Sequence, residues 1–263
     1  MKRLFFLMVV VLIALQSATA QQGRTVQNRP YTDLRPFHLG LFVGTHVQDL
    51  ELMNVGPQVI ENEDGSTTTR LITCDQDRWD GGFLVGVLGE FRLHEYFQFR
   101  VAPAMYFGVR HVSFYDYTPT YGTDPADVND EEEQPSGRLM NERIQNIKTA
   151  YITCALDLIA ASKRNGNVRP YALVGLNPMI NLSGGESDIL KLKRTDLFFE
   201  IGAGCDFYLP FFKLRPELKF MFGLTDCLDH KHADRLRDVN LRAFSNSVSK
   251  ATSKMVTLTF YFE

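Results

Sequence analysis

From Pro36 onward the sequence places apolar residues at every second position, segment after segment, and this period of two most constrains what the chain can fold into. Phe37, Leu39, Leu41 and Val43 alternate with His38, Gly40, Phe42 and Gly44. The same pattern recurs at Phe83–Leu93, Phe97–Val109, Ile152–Leu158, Ala172–Ile180, Leu197–Phe207, Leu214–Leu224 and Val256–Phe262. A strand sends successive side chains to opposite faces, so each segment reads as a strand with one apolar and one polar or small face. There are eight such segments.

The connections between them alternate in length. Long ones run from about Glu51 to Asp80, from Asp116 to Asn146 and from Asp226 to Ser249, with a moderate one from Gly184 to Lys193. Tight ones fall at His94-Glu95, at Lys163-Arg164-Asn165-Gly166-Asn167 and at Leu209-Pro210-Phe211. The Asn-Gly pair is a hairpin signal. The N-terminus adds a compartment. Met1-Lys2-Arg3 is basic, Leu4 to Leu15 is an unbroken apolar run, and Ser17-Ala18-Thr19-Ala20 offers a small-x-small cleavage site. This is the pattern of a secretory signal peptide. No Cys follows the site, as a lipoprotein would need.

No later stretch approaches the roughly 18 apolar residues of a membrane helix. An exported chain that enters a bilayer without such a helix must do so as a closed β-barrel, which satisfies every backbone polar group internally. The expected fold is all-β: an eight-stranded antiparallel transmembrane β-barrel, an up-and-down meander with long extracellular loops. Residues 1–20 are then the signal peptide, 21–35 a periplasmic N-terminal arm and 36–263 the barrel, with both termini periplasmic. A soluble β-sandwich alternates too. The signal peptide, the long/short order and the aromatic last strand, Thr259-Phe260-Tyr261-Phe262, favour the membrane barrel. Glu263 after the last aromatic departs from the usual ending.

With the apolar face toward lipid, the other face lines the lumen. It carries Glu90, Arg92, Arg100, Arg110, Asp157, Glu200, Asp206, Lys213, Arg215, Glu217 and Lys219. Eight strands enclose a space that side chains can fill. Unpaired buried charge is costly, so these groups are expected to pair as a structural network in a plugged lumen. The carboxylates are read as structural for the same reason.

Other chemistry finds little support in the sequence. A formal net charge of −3 argues against nucleic-acid binding, which needs a basic stripe. His230-Lys231-His232 with Asp229 and Asp234 has no closed tetrahedral spacing. The acidic run Asp127 to Glu133 lacks the order of a calcium loop. Gly202-Ala203-Gly204 lies inside a strand with no helix after it, so it serves packing and not a nucleotide. Ser113, Ser136 and Ser183 have no nucleophile motif around them. The reading is a non-enzymatic protein with no cofactor, metal or small-molecule substrate. Cys74 in the first long connection and Cys227 at the start of the last would be neighbours in a closed barrel, which suggests a loop disulfide in an oxidising compartment.

Several of these segments also resemble a known family. Pro36-Phe37-His38-Leu39-Gly40 with Gly44, and Arg100-Val101-Ala102-Pro103 with Phe107-Gly108-Val109-Arg110, resemble strands of the PorT family. The longest match is Phe199-Glu200-Ile201-Gly202-Ala203-Gly204-Cys205-Asp206-Phe207-Tyr208. It continues through Phe212-Lys213, Pro216-Glu217-Leu218-Lys219-Phe220 and Gly223-Leu224. The resemblance covers most of the barrel and is weakest in the long loops. It implies an outer-membrane component of the type IX secretion system of Bacteroidetes, required to export proteins with a C-terminal sorting domain, such as gingipain-type proteases. Its implied partners are outer-membrane lipid and other type IX secretion components. It brings no catalytic or cofactor residues. The alternative is a general small outer-membrane barrel acting as adhesin, narrow channel or structural protein.

Overall fold

The computed structural model describes residues 26–61, 67–117, 141–183, 188–236 and 239–263. The signal segment, residues 21–25 of the arm and the acidic run Asp127 to Glu133 lie outside the described residues. The described residues form ten strands: β1 (Phe37–Asn54), β2 (Pro57–Glu61), β3 (Thr67–Asp75), β4 (Asp80–Arg92), β5 (Phe97–Asp116), β6 (Asn141–Ala161), β7 (Val168–Asn181), β8 (Thr195–Tyr208), β9 (Lys213–Gly223) and β10 (Val248–Phe262). Among the described residues one short α-helix, α1 (Val239–Ser245), precedes β10, and two single 3-10 turns lie at Thr32–Leu34 and Ala233–Arg235.

Eight strands close into a ring. β1 pairs with β4, the chain then meanders antiparallel from β4 to β10, and β10 pairs back onto β1 from Leu41↔Phe262 to Asn54↔Val248. The period of two sorts the wall as expected. Leu39, Val85, Leu156, Ile201, Phe220 and Phe260 stand outward and exposed, while Phe42, Leu84, Ala155, Glu200 and Tyr261 are buried inside. An outward apolar belt is what a wall in hydrocarbon requires. In β1 the belt runs from Phe37 to Val47. Asp49 and Glu51, Lys148 on β6 and Lys254 on β10 then enter the outward row and mark its edge at the long-loop end. Lys254 and Glu51 pair there at 2.6 Å.

Prolines interrupt the ladder in a regular way. Between β4 and β5 the register passes from Gly86↔Ala104 to Gly89↔Val101, skipping Pro103. Between β6 and β7 it skips Pro178, and between β8 and β9 it skips Pro216. On its other side each proline stays in register, opposite Cys154, Leu197 and Phe260 respectively. A proline has no N–H to give, so it spoils the ladder on one side only.

The long connections are more ordered than the sequence implies. β5 and β6 stay paired out to Asp116↔Asn141, so residues 141–146, expected within the connection that begins at Asp116, are strand. The first connection contains the β2–β3 hairpin, and β3 takes the place of β4 beside β5, from Ile72↔Asp116 to Asp75↔Ser113. The reason is an apolar cap at this end. Leu50, Ile72, Phe114, Ile147, Leu190 and Phe244 are all buried in one cluster, and burying them rewards continued pairing. Two side-chain amides hold the cap as surrogate strand pairs. Asn54 accepts from the Cys74 N–H (2.8 Å) and donates to its carbonyl (3.1 Å). Gln145 does the same with Leu190, at 2.9 and 3.1 Å.

At the short-turn end the described part of the arm, Val26 to Arg35, folds back across the ring. Asn28 donates through its side chain to the Tyr208 carbonyl (3.0 Å), and Arg29 donates to the Glu263 carbonyl (2.9 Å).

Small residues face large ones inside the wall. A Cβ on Gly204 would come within 2.4 Å of the Tyr171 ring and 2.8 Å of the Pro216 carbonyl, whereas one on Gly81 would meet nothing closer than 4.0 Å. Gly204→Val is therefore expected to destabilise the barrel by about 1–3 kcal/mol, the cost of overpacking, and Gly81→Ala to leave it unchanged. The midpoint of heat-induced unfolding, read as the gel-mobility shift of the folded barrel, checks both.

Candidate functional site

The polar interior is the candidate site, and β9 is its spine. Lys213, Arg215, Glu217 and Lys219 occupy alternate positions of β9 and all face inward, buried. Across the ladder Glu217 and Lys219 meet small residues, Gly204 and Gly202 on β8 and Thr259 and Thr257 on β10, whereas Lys213 and Arg215 stand opposite Tyr208 and Tyr261. The small partners of Glu217 and Lys219 leave room for these two side chains to reach across the lumen.

The charges form one connected cluster. Arg215 contacts Glu90 (2.6 Å), Asp206 (2.6 Å) and Glu263 (2.5 Å). Arg100 contacts Glu217 (2.7 Å), Glu90 (3.3 Å) and Asp157 (3.9 Å). Lys219 reaches Asp157 and Glu200, each at 2.9 Å, and Glu217 at 3.5 Å. Lys213 pairs with Glu263. Neutral groups join the cluster: Tyr171 donates to Glu217 (2.7 Å) and Asn177 to Glu200 (3.2 Å). The Arg100 guanidinium lies 4.5 Å from the Tyr261 ring centroid, and that of Arg215 lies 4.7 Å from the Tyr171 ring. Taking such charges out of water costs several kcal/mol each, which only dense mutual pairing offsets.

Two of the expected members lie elsewhere. Arg92 is the last residue of β4; it is partly exposed at the rim, where its side chain donates to the Leu34 carbonyl at 3.4 Å. Arg110 is buried in the lumen but toward the long-loop end. It is held by neutral acceptors, Gln48 (2.9 Å) and Ser253 (2.8 Å). Conversely, Glu263, which the sequence marks only as a departure from the usual ending, belongs to the cluster. The signal was present: Tyr261 faces inward and Phe262 outward, so parity sends Glu263 inward.

Between cluster and cap lies an apolar and aromatic layer, including Phe42, Leu84, Tyr106, Met179, Phe198 and Met255, all buried. The interior is thus filled at successive levels by charge, by aromatic and sulfur-bearing side chains, and by the cap. The geometry is that of a packed core, and its carboxylates face cations from the wall itself.

The remaining candidates separate in space. His230 is exposed and bonds Asp226 (2.7 Å), while His232 is buried and bonds the Asp188 carbonyl (2.5 Å). Among the described residues no group of three or more His, Cys, Asp or Glu is arranged to hold a metal. The expected disulfide is not met: Cys74 and Cys227 are free thiols, both in the apolar cap. The Cys227 N–H bonds Ala251 of β10, and Cys74 is bracketed by Asn54 of β1. Both β10 and β1 therefore intervene, and three steps of ~4.8 Å around a ring exceed the reach of a disulfide. Burial pushes the Cys74 thiol up and that of Cys227 to about 11, so neither is a ready nucleophile.

A scan against family models matches the outer membrane protein beta-barrel domain over residues 19–229. The chain belongs to this family. Its place is the outer membrane. No curated protein matches it. Solved structures similar to it include Ail, the attachment invasion locus protein of Yersinia pestis, solved with the heparin analogue sucrose octasulfate. That match has 11% identity and a TM-score of 0.36, covering 87% of this chain and 99% of Ail. Neisserial surface protein A matches at 11% identity and a TM-score of 0.40, over 86% of this chain and 98% of its own. OprG of Pseudomonas aeruginosa matches at 10% and 0.43, over 85% and 93%.

Two predictions follow from the interior and its long-loop margin. Removing one partner of the Arg100–Glu217 pair leaves a buried charge, so Arg100→Met and Glu217→Leu are each expected to cost about 3–5 kcal/mol. The double variant is expected to cost less than the sum of the two; urea unfolding in detergent, run as a double-mutant cycle, measures this. Asp226, in the connection after β9, is partly desolvated, which raises its pKa. The Ala251 N–H, His230, the Leu228 N–H and Lys193 outweigh this and hold its carboxyl down at about 2. Its hold on the connection is therefore full above the ordinary carboxylate pKa of ~3.9 and is lost as pH falls through about 2. The Ala251 amide resonance is expected to titrate with that midpoint, and Asp226→Asn to abolish the titration.

Proposed function

We propose that this barrel is a non-enzymatic outer-membrane component of type IX secretion, acting by scaffolding or assembly and not as the conduit. The observation that carries the second half is the filled interior: an eight-stranded ring whose lumen is occupied by a buried ion cluster, an aromatic layer and an apolar cap leaves no room for a polypeptide. The resemblance of its strands to the PorT family carries the first half. A protein that does not conduct substrates contributes through its surfaces. In this reading the arm and short turns face the periplasm after removal of a signal peptide ending at Ala20, and the capped end faces outward. Lipid contacts the belt, and other secretion components contact the two ends.

The deciding experiment deletes the gene and assays culture fluid and cell surface for proteins with the C-terminal sorting domain. Accumulation of those proteins in the periplasm, reversed by the intact gene, is the expected result; unchanged export overturns the secretion reading. In planar bilayers the purified protein is expected to give no stable conductance steps, and a persistent open channel would contradict the scaffold assignment. A surface adhesin is the second reading. It is favoured by Met53, Val55 and Val59, apolar side chains exposed around the hairpin at the capped end.

A further inference from the structure

The short-turn end holds a cleft of about 490 Å³. The arm builds one wall with Tyr31, Asp33 and Leu34, and the first two short turns build the other with Arg92, Tyr96 and Lys163. Its floor includes Arg169, a buried residue on the lumen side of β7. The cleft therefore opens beneath the ring toward the aqueous side and away from the belt.

The arm is fastened there by more contacts than a trailing terminus needs. Asp33 accepts from the Tyr208 hydroxyl (2.5 Å) and lies 3.8 Å from Arg164 and 3.6 Å from Arg169. Arg29 has a left-handed backbone, φ 50°, uncommon for a residue with a side chain. It is pinned on both sides, donating to the Glu263 carbonyl and accepting at its own carbonyl from Arg164 (3.2 Å). A strained segment persists only where its surroundings over-determine it. Yet the arm does not bury its own large side chains: Tyr31 is 75% and Leu34 60% exposed. A segment present only to plug the ring would turn these inward.

The charges on the walls are also unequal in what they already hold. Arg164 and Arg169 are committed to Asp33 and to backbone carbonyls. Among the described residues the Arg92 side chain makes one long bond, to the Leu34 carbonyl, and Lys163 is exposed. The Tyr96 hydroxyl and the Glu95 carboxylate beside Lys163 hold its ammonium above the ordinary lysine range, so it stays charged. Glu95 is the one carboxylate among the lining residues besides Asp33.

We propose that the arm and the first two short turns form a docking cleft for an acidic segment of a periplasmic protein partner, one that carries aromatic or aliphatic residues between its carboxylates. Arg92 and Lys163 meet the carboxylates; Tyr31, Leu34 and Tyr96 meet the apolar residues. Alternating charge and apolar contact suits an extended segment, whose side chains point to two sides in turn. The compartment of this site rests on the orientation given under the proposed function.

The test uses the full mature chain in lipid nanodiscs. The probe is a fluorescein-labelled heptapeptide alternating glutamate with phenylalanine and leucine, compared with the same peptide carrying lysine for glutamate. Fluorescence anisotropy is expected to show binding of the acidic peptide only, weakened by salt. The double variant Arg92→Glu/Lys163→Glu is expected to weaken it roughly tenfold, and Leu34→Ser to weaken it as well. The heat-dependent gel shift confirms that each variant is folded. Equal binding of the two peptides, or binding untouched by charge reversal, overturns the proposal. Competition by phosphatidylglycerol vesicles as strong as by unlabelled peptide also overturns it, by assigning the cleft to lipid. The assay reads the cleft without reference to export. Peptide binding with unchanged export in the deletion strain would sink the secretion role alone; lost export with no peptide binding would sink the cleft alone.

Discussion

Every N–H and C=O of a wall immersed in hydrocarbon has to be bonded within that wall, and the pairing of β1 with β10 is the contact that makes this possible here. It removes the last open edge of the sheet. Once the ring is closed, the side-chain period of two has only one resolution: outward positions meet lipid and inward positions meet one another. The belt, the buried charges and the position of both ends of the described chain all depend on that closure. Pro103, Pro178 and Pro216, in the lipid-facing rows, show how far the constraint bends. Each gives up pairing on one side while the other side keeps register.

The charges inside are best understood as packing material that must also be neutralised. β9 alone contributes Lys213, Arg215, Glu217 and Lys219, and no pairing within one strand could satisfy them. Their partners come from β4, β5, β6, β8 and Glu263, just after β10. The ion cluster therefore ties strands across the lumen that the backbone ladder cannot connect, because the ladder joins only neighbours. The same logic extends to the short-turn end, where Asp33 of the arm links Tyr208, Arg164 and Arg169. At the opposite end the link is apolar, with side-chain amides of Asn54 and Gln145 standing in for missing strand pairs.

Much of the interior could be read from parity. The placement of Glu90, Arg100, Asp157, Glu200, Asp206, Arg215, Glu217 and Lys219 on one buried face needed only the alternation of the flanking Phe, Leu and Ile residues. Glu263 obeys the same rule, since it follows the outward Phe262 and turns inward to Lys213 and Arg215. Arg92 and Arg110 also obey parity, but parity does not report height along the barrel axis, so their distance from the cluster was hidden. The free thiols of Cys74 and Cys227 show the same limit. Loops can be neighbours in a ring while particular residues in them remain separated by two strands.

The sequence by itself determined the number of wall strands, the face that each residue presents and the order of short and long connections. These are local properties, fixed by a two-residue repeat and by turn chemistry. Only the tertiary structure decided which charges meet, how the long connections fold into a cap, and where the arm lies. Those outcomes depend on strand stagger and on contacts across the lumen between residues more than a hundred positions apart, such as Arg100 with Glu217 and Asp33 with Tyr208. No local pattern encodes a distance of that kind, because it is set only when the ring closes.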